Sequence, residues 1–234
     1  MKGLSLLDIA YSSPKALIID LDGTIVDSLG VWSEVDRKFF AKRGLVFSPD
    51  YAKEVSAMDF REAAVYTNTR FSLGEDPDDM IAEWFAYAVE EYASRIKCYP
   101  GVPDFLNEAK AMGLRLALAT ASDPRLFTPV LQNNGIYGCF DAFVTTQEAG
   151  QNKCSPDVYL LAAERLSAKP SECIVFEDLY EGLNSAYSAG FRIFCYKNGH
   201  GFGRRLPDFP AGSCFMFDDY GVCTEKLREL LAAE

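Results

Sequence analysis

Asp20-Leu21-Asp22-Gly23-Thr24 places two carboxylates one residue apart, directly after the apolar run Ala16-Leu17-Ile18-Ile19. Four apolar residues in succession predict a buried strand. Alternate strand side chains share a face, so Asp20 and Asp22 point to one side while Leu21 turns back into packing. Gly23 follows where the backbone must turn tightly. Two carboxylates aimed at one spot are costly unless a cation or a proton separates them. The end of this strand is therefore a candidate metal and phosphate site.

Three further segments end in reactive groups. Leu114 to Ala119 runs into Thr120-Ala121-Ser122, where a hydroxyl and backbone N–H groups, that of Ala121 among them, could hold a phosphate oxygen. Lys153, just ahead of Pro156-Asp157, could neutralise a phosphate as a compact point charge. Ile174-Val175-Phe176 terminates in Glu177-Asp178, a second acidic pair suited to a hard cation with oxygen ligands. Singly, each has a plainer reading. Asp20 and Asp22 could form an acidic turn, Thr120 could be a strand-end hydroxyl, Lys153 a solvated charge, and Glu177-Asp178 a helix cap. Together the plain readings require four coincidences at corresponding positions. A calcium loop starting at Asp20 would need Gly and Glu where the chain has Ile25 and Val31.

The elements around these groups fall into two patterns. After the first strand, about seventy residues read as helices by period and caps. Trp32, Val35, Phe39 and Phe40 share a face, and Gly44 stops that helix. Ser48-Pro49 opens the next, Asp59 to Glu62 has capping-box spacing, and Asp76-Pro77 opens a helix carrying Met80, Trp84, Tyr87 and Ala88 toward Tyr92. From residue 100 onward strands alternate with helices. Predicted strands are Leu114 to Ala119, Ala142 to Thr145, Cys173 to Phe176, Phe191 to Tyr196 and Cys214 to Phe217, with helices starting near Pro103, Pro124, Pro156 and Tyr180. That alternation predicts an α/β fold with a doubly wound, Rossmann-like parallel sheet. Ligands in such sheets sit beyond the carboxyl ends of the strands. The expected organisation is a catalytic core of residues 1–26 and 100–234, with a small all-α cap, residues 27–99, inserted after the first strand. The cap aromatics read as cap core, while Arg61, Tyr66 and Arg70 stand as residues that could face substrate.

Composition narrows the function. The 234 residues are 49% hydrophobic and 24% charged, ordinary values for a globular protein. A net charge of −11 argues against nucleic-acid binding, which needs a basic stripe. The first fifteen residues lack a secretory apolar core, and no stretch approaches the roughly 20 apolar residues that span a bilayer. Seven widely spaced cysteines without a Cys-x-x-Cys pair disfavour a zinc ribbon and fit a reducing cytoplasm. His200 is the single histidine, in Gly199-His200-Gly201-Phe202-Gly203-Arg204-Arg205. That stretch lacks both phosphate-loop signatures and reads as a surface loop. Catalysis is thus expected of carboxylates.

The order and types of these residues resemble the haloacid dehalogenase superfamily, nearest to its helical-cap phosphatases and its beta-phosphoglucomutase-like members. Asp20-Leu21-Asp22-Gly23-Thr24 is similar to the first motif, Thr120 to the second, Lys153 to the third and Glu177-Asp178 to the fourth. The stretch Phe176 to Leu183 with Ala189-Gly190 extends the likeness. The resemblance implies Asp20 as the nucleophile that forms an aspartyl-phosphate, and Asp22 as general acid and base. It implies Thr120, Ala121 and Lys153 around the phosphoryl group. It also implies Mg²⁺ held by Asp20, the Asp22 carbonyl and Asp178, with Glu177 behind them. The dehalogenase branch lacks the second Asp, so Asp22 favours phosphate esters. Two departures stand out. Lys153-Cys154-Ser155-Pro156-Asp157 lacks one proline of the usual third motif, which should loosen the loop, and Leu179 replaces a common Ser, removing a hydrogen bond behind the metal.

The reading is a Mg²⁺-dependent phosphohydrolase of a small phosphorylated metabolite, a sugar or polyol phosphate, with the cap closing over it. The partners expected are that metabolite alone, with no nucleic acid and no membrane. The oligomeric state is left open, a monomer included. A sugar-phosphate mutase would share every core residue, and a silent phosphate- or partner-binding module is the third alternative.

Overall fold

The computed structural model describes residues 12–55, 58–199, 209–210 and 212–232. It divides into two compact units, one of residues 1–27 and 97–234 and one of residues 28–96.

The larger unit is a six-stranded, all-parallel sheet in the order β3-β2-β1-β4-β5-β6. Its strands are β1 (Ala16–Ile19), β2 (Arg115–Thr120), β3 (Ala142–Thr145), β4 (Cys173–Glu177), β5 (Arg192–Tyr196) and β6 (Cys214–Phe217). They match the predicted strands within one or two residues, because continuous apolar runs are what a sheet covered on both faces requires. Alternate residues sort onto the two faces. Ala16, Ile18, Ala117, Ala119, Val175 and Ile193 pack with α8 (Asp157–Arg165) and α9 (Tyr180–Ser188). On the other face Phe176 meets Phe105 of α5 (Val102–Ala111), ring centroids 5.3 Å apart, and Phe105 meets Tyr220 of α10 (Tyr220–Ala232) at 5.2 Å. Of the remaining helices, α6 (Pro124–Asn133) follows β2 and α7 (Thr146–Ala149) follows β3.

The strand order decides where chemistry can occur. β1 pairs with β2 on one side and β4 on the other, with Ile19 level with Leu118 and Phe176. Asp20 N–H donates to the Phe176 carbonyl at 3.0 Å, extending the ladder past the end of β1. The chain leaves and re-enters this unit at one place. Asp27 N–H donates to Lys97 O at 3.0 Å and Tyr99 N–H to Ile25 O at 3.0 Å.

The smaller unit holds α1 (Val31–Lys42), α2 (Pro49–Val55), α3 (Phe60–Phe71) and α4 (Pro77–Ser94). Its caps are local. Asp59 accepts from Glu62 N–H at 2.8 Å while Glu62 accepts from Asp59 N–H at 3.2 Å, and Asp76 caps α4. Val35, Phe39, Phe40, Trp84 and Ala88 are buried together as the helical spacing implied. Trp32 departs from that expectation. It is 40% exposed and rests against Phe60, also half-exposed, with centroids 5.1 Å apart. Arg61, Tyr66 and Arg70 engage partners of their own unit. Arg61 pairs with Asp78, while Tyr66 and Arg70 both engage Glu54.

All seven cysteines are free thiols. Among the described residues no helix is long and apolar enough to cross a membrane. The stretch of residues 200–205, with His200, lies outside the described residues.

Candidate active site

Asp20 sits one residue past β1, the strand with β2 and β4 as its neighbours, and its side chain is buried. One carboxylate oxygen accepts from Lys153 Nζ and the other from Thr24 Oγ1 at 2.9 Å. Lys153 Nζ also donates to Glu177 Oε1 at 2.5 Å. The ammonium therefore bridges the ends of β1 and β4. Burial alone would drive its proton off, but Asp20 and Glu177 outweigh that and hold its pKa above the usual lysine range.

Glu177 is saturated. Oε1 accepts from Lys153 and from the buried Tyr159 hydroxyl at 3.0 Å, and Oε2 accepts from the N–H groups of Asp178 at 3.0 Å and Leu179 at 3.2 Å. Four donors on one carboxylate fix its orientation and leave little capacity for a further ligand. Asp178 is less committed. Oδ2 accepts from Asn198 Nδ2 at 2.7 Å, and Thr24 Oγ1 lies 3.4 Å from Oδ1.

Carboxylate oxygens of Asp20, Glu177 and Asp178 lie within 4.8 Å of one another, all three residues buried. Burial and the neighbouring carboxylates push the Asp20 pKa well above the normal range, with Lys153 opposing them. Burial, then Glu177, pushes Asp178 up to about 7. With all three carboxylates ionised, one ammonium leaves two negative charges in a buried site. That deficit and an all-oxygen donor set fit a hard divalent cation, so the cluster could hold a metal ion.

Asp22 lies apart from this cluster and is partly exposed. Its Oδ2 accepts from Ser122 Oγ at 2.5 Å, which ties the turn after β1 to the turn after β2. Thr120 is fully buried, and its oxygen accepts from Ser122 N–H at 2.9 Å. Ala121, next along, is exposed. The turn thus presents Thr120, Ala121 and Ser122 beside the two aspartates.

Close approach dictates two glycines. At Gly23 φ is +80°, and a Cβ would lie 2.5 Å from Asp178 Oδ2. At Gly182, in the first turn of α9, a Cβ would lie 2.7 Å from the Tyr159 hydroxyl and 2.8 Å from Glu177 Oε1.

Four supporting residues carry no sequence prediction. Ser122 holds Asp22, Tyr159 holds Glu177, and Ser185 Oγ donates to the Lys153 carbonyl at 2.7 Å. Asn198 joins Asp178 to the Gly23 carbonyl at 2.8 Å. Asn198 was within reach, since it lies just past the end of β5, where the rule about strand ends applies. Tyr159 had no such signal. The missing proline of the third motif is offset, because Cys154 N–H and Ser155 N–H both donate to Asn152, at 3.0 Å each, and Ser185 pins Lys153. The hydrogen bond that a Ser at Leu179 would have offered has a counterpart in Asn198.

The model of haloacid dehalogenase-like hydrolases matches residues 14–190, more than half of the chain. This chain belongs to the haloacid dehalogenase-like hydrolase family. The hydrolase is similar to Protein CbbY of Rhodobacter capsulatus, 31% identical over 230 residues that cover 92% of this chain and 98% of CbbY. Hexitol phosphatase A of Escherichia coli is 28% identical over 181 residues, 76% of this chain and 81% of that protein. Among solved structures, a CbbY variant from Rhodobacter sphaeroides in complex with xylulose-(1,5)bisphosphate has a TM-score of 0.68 at 24% identity, covering 88% and 95% of the two chains. That last likeness concerns the fold, and the same parallel sheet carries the hydrolase's cluster.

Proposed function

We propose that this hydrolase is a Mg²⁺-dependent phosphatase of a small sugar or polyol phosphate, working through an aspartyl-phosphate on Asp20. The observation that carries the reading is the buried Asp20 carboxylate, held by Lys153 and Thr24 beside Asp178 at the end of β1. The name of one relative, a hexitol phosphatase, supports a phosphorylated carbohydrate as substrate. The free thiols suit a reducing cytoplasm.

Asp20, the Asp22 carbonyl and Asp178 would hold Mg²⁺, and Glu177, saturated by its four donors, would orient the shell behind them. When bound, the cation screens the repulsion between a carboxylate and a phosphate dianion. The remaining chemistry belongs to the chain. Asp20 attacks phosphorus and the bond to the leaving oxygen breaks. Asp22, held by Ser122, gives that oxygen its proton. The Asp22 carboxylate then takes a proton from the water that attacks the phosphoenzyme, releasing inorganic phosphate and restoring Asp20. Lys153, Thr120 and the Ala121 N–H hold the phosphoryl oxygens as charge spreads over them.

The test is phosphate release from a panel of hexitol, hexose and pentulose phosphates, with Mg²⁺ and after chelation. Mg²⁺-dependent release is expected, with a loss of at least about 10³-fold in Asp20→Asn. Full activity in Asp20→Asn, or in chelator, overturns the mechanism. Isomerised sugar phosphate without free phosphate would instead make the chain a mutase.

A further inference from the structure

A cavity of about 500 Å³ lies within the helical unit, between α1, α2, α3 and α4. Four aromatic side chains line it: Trp32 from α1, Tyr51 from α2, Phe60 from α3 and Trp84 from α4. Tyr51 is buried and its hydroxyl is engaged with Thr67 Oγ1 at 2.8 Å, so it offers the cavity a ring. Trp32 and Phe60, the exposed aromatics of this unit, touch one another on the same cavity.

The charged lining is acidic. Asp36 and Asp59 both line the cavity, and among the described residues no Lys or Arg does. Asp59 has a structural task as the cap of α3. Asp36 has none among the described residues, where no hydrogen bond or ion pair engages its carboxylate and burial alone shifts it. Several basic side chains of these helices pair elsewhere: Arg37 with Glu34, Lys38 with Glu90 and Glu91, Arg61 with Asp78 and Arg70 with Glu54. Burial pushes the Asp36 carboxyl up to about 6, so its ionised form is reached by neutral pH, with no ion-pair partner among the described residues.

An unpaired carboxylate beside several aromatic faces selects for one kind of guest. A phosphate or carboxylate is repelled by Asp36 and Asp59. A neutral polyol can stack on Trp32 and hydrogen-bond Asp36, yet leaves the charge uncompensated. An organic ammonium meets both features, because ring faces attract cations and a partly buried carboxylate pairs with them. We infer that the cavity between α1, α2, α3 and α4 is a binding site for a small organic cation, an alkylammonium head seated between the Asp36 carboxylate and the faces of Trp32, Phe60 and Trp84. The site lies wholly within the helical unit and does not depend on the phosphatase reading.

The chain provides its own reporter. It has two tryptophans, Trp32 and Trp84, and both line the cavity. Choline and tetramethylammonium titrated into the full chain should change tryptophan emission saturably, with half-saturation below about 10 mM. The neutral choline isostere 3,3-dimethylbutan-1-ol should bind about tenfold or more weaker, as should sorbitol. Asp36→Asn, which keeps the side-chain shape, should weaken choline by a similar factor while leaving the isostere unchanged. Absence of a saturable response to both cations overturns the inference. So does equal binding of the isostere or sorbitol, or undiminished choline binding by folded Asp36→Asn. The isostere comparison needs only the unaltered chain, so it decides even where the variant fails to fold.

Discussion

Ser122 Oγ donates to Asp22 Oδ2 at 2.5 Å, joining two turns one hundred residues apart in sequence. In the proposed mechanism Asp22 must give a proton to the leaving oxygen and later take one from water, so its carboxylate has to stay aimed. Ser122→Ala removes that side-chain donor. A hydrogen bond to a charged group contributes about 1.5–3 kcal/mol, so kcat should fall roughly tenfold or more, with KM changed far less. Steady-state kinetics on the best substrate of the panel checks this. An equal rise in KM with kcat intact would mean that Ser122 binds substrate rather than orienting the acid.

The charge balance at Asp20, Glu177 and Asp178 predicts a change of sign with metal. Without a cation the three buried carboxylates face one ammonium, and removing one negative charge relieves repulsion. Asp178→Asn should therefore raise Tm in chelator. With Mg²⁺ present the wild type gains stability by linkage, about 2.7 kcal/mol at one hundred times Kd, and the variant should lose most of that gain. Thermal melts of both proteins across a Mg²⁺ titration check the crossing. Parallel curves would remove Asp178 from the ligand set.

Asp36 sets a pH dependence of stability in the helical unit. Its folded pKa, pushed up to about 6 by burial, lies above the ordinary carboxylate value. Folding therefore favours the protonated form, and the folded state holds more protons than the unfolded one between about pH 4 and pH 6. Stability is higher below that window and declines as pH rises through it, by at most about 3 kcal/mol. Partial exposure of the side chain reduces that figure. Asp36→Asn should flatten the decline and be the more stable protein at pH 7. Urea denaturation at pH 4.5 and pH 7, without ligand, measures both arms.

Sequence made the frame legible because its rules are local. Apolar runs marked the strands, Asp59 with Glu62 marked a cap, and strand ends marked Asp20, Thr120 and Glu177-Asp178. What stayed hidden depends on sheet order. That β1 lies between β2 and β4 is what brings Ser122 to Asp22 and Lys153 to both Asp20 and Glu177, and nothing in a linear pattern orders parallel strands. Tyr159 is a second case. It lies in α8 and is buried, yet its hydroxyl serves Glu177. Trp32 is the reverse case, since its spacing joins it to Val35 and Phe39 while its ring stands exposed on a cavity. Periodicity ranks a position as inward or outward, but it does not say whether the space there is filled.

Gly23 offers a separate test of the geometry between the two acidic motifs. Its φ of +80° costs a substituted alanine roughly 1 kcal/mol of backbone strain. Its Cβ would also fall 2.5 Å from Asp178 Oδ2 and 3.0 Å from Asn198 Nδ2. Gly113 has a similar φ of +83° and nothing within 4 Å of its Cβ site, so it separates strain from contact. Gly113→Ala should lose about 1 kcal/mol of stability and keep its Mg²⁺ dependence. Gly23→Ala should lose that and, in addition, require more Mg²⁺ for half-maximal activity, because Asp178 must move away from the position Asn198 gives it. Mg²⁺ titrations of activity on the two variants, each with a melt, distinguish the cases. If both variants show the same modest destabilisation and an unchanged Mg²⁺ requirement, the close packing of Gly23 against Asp178 has no part in holding the metal.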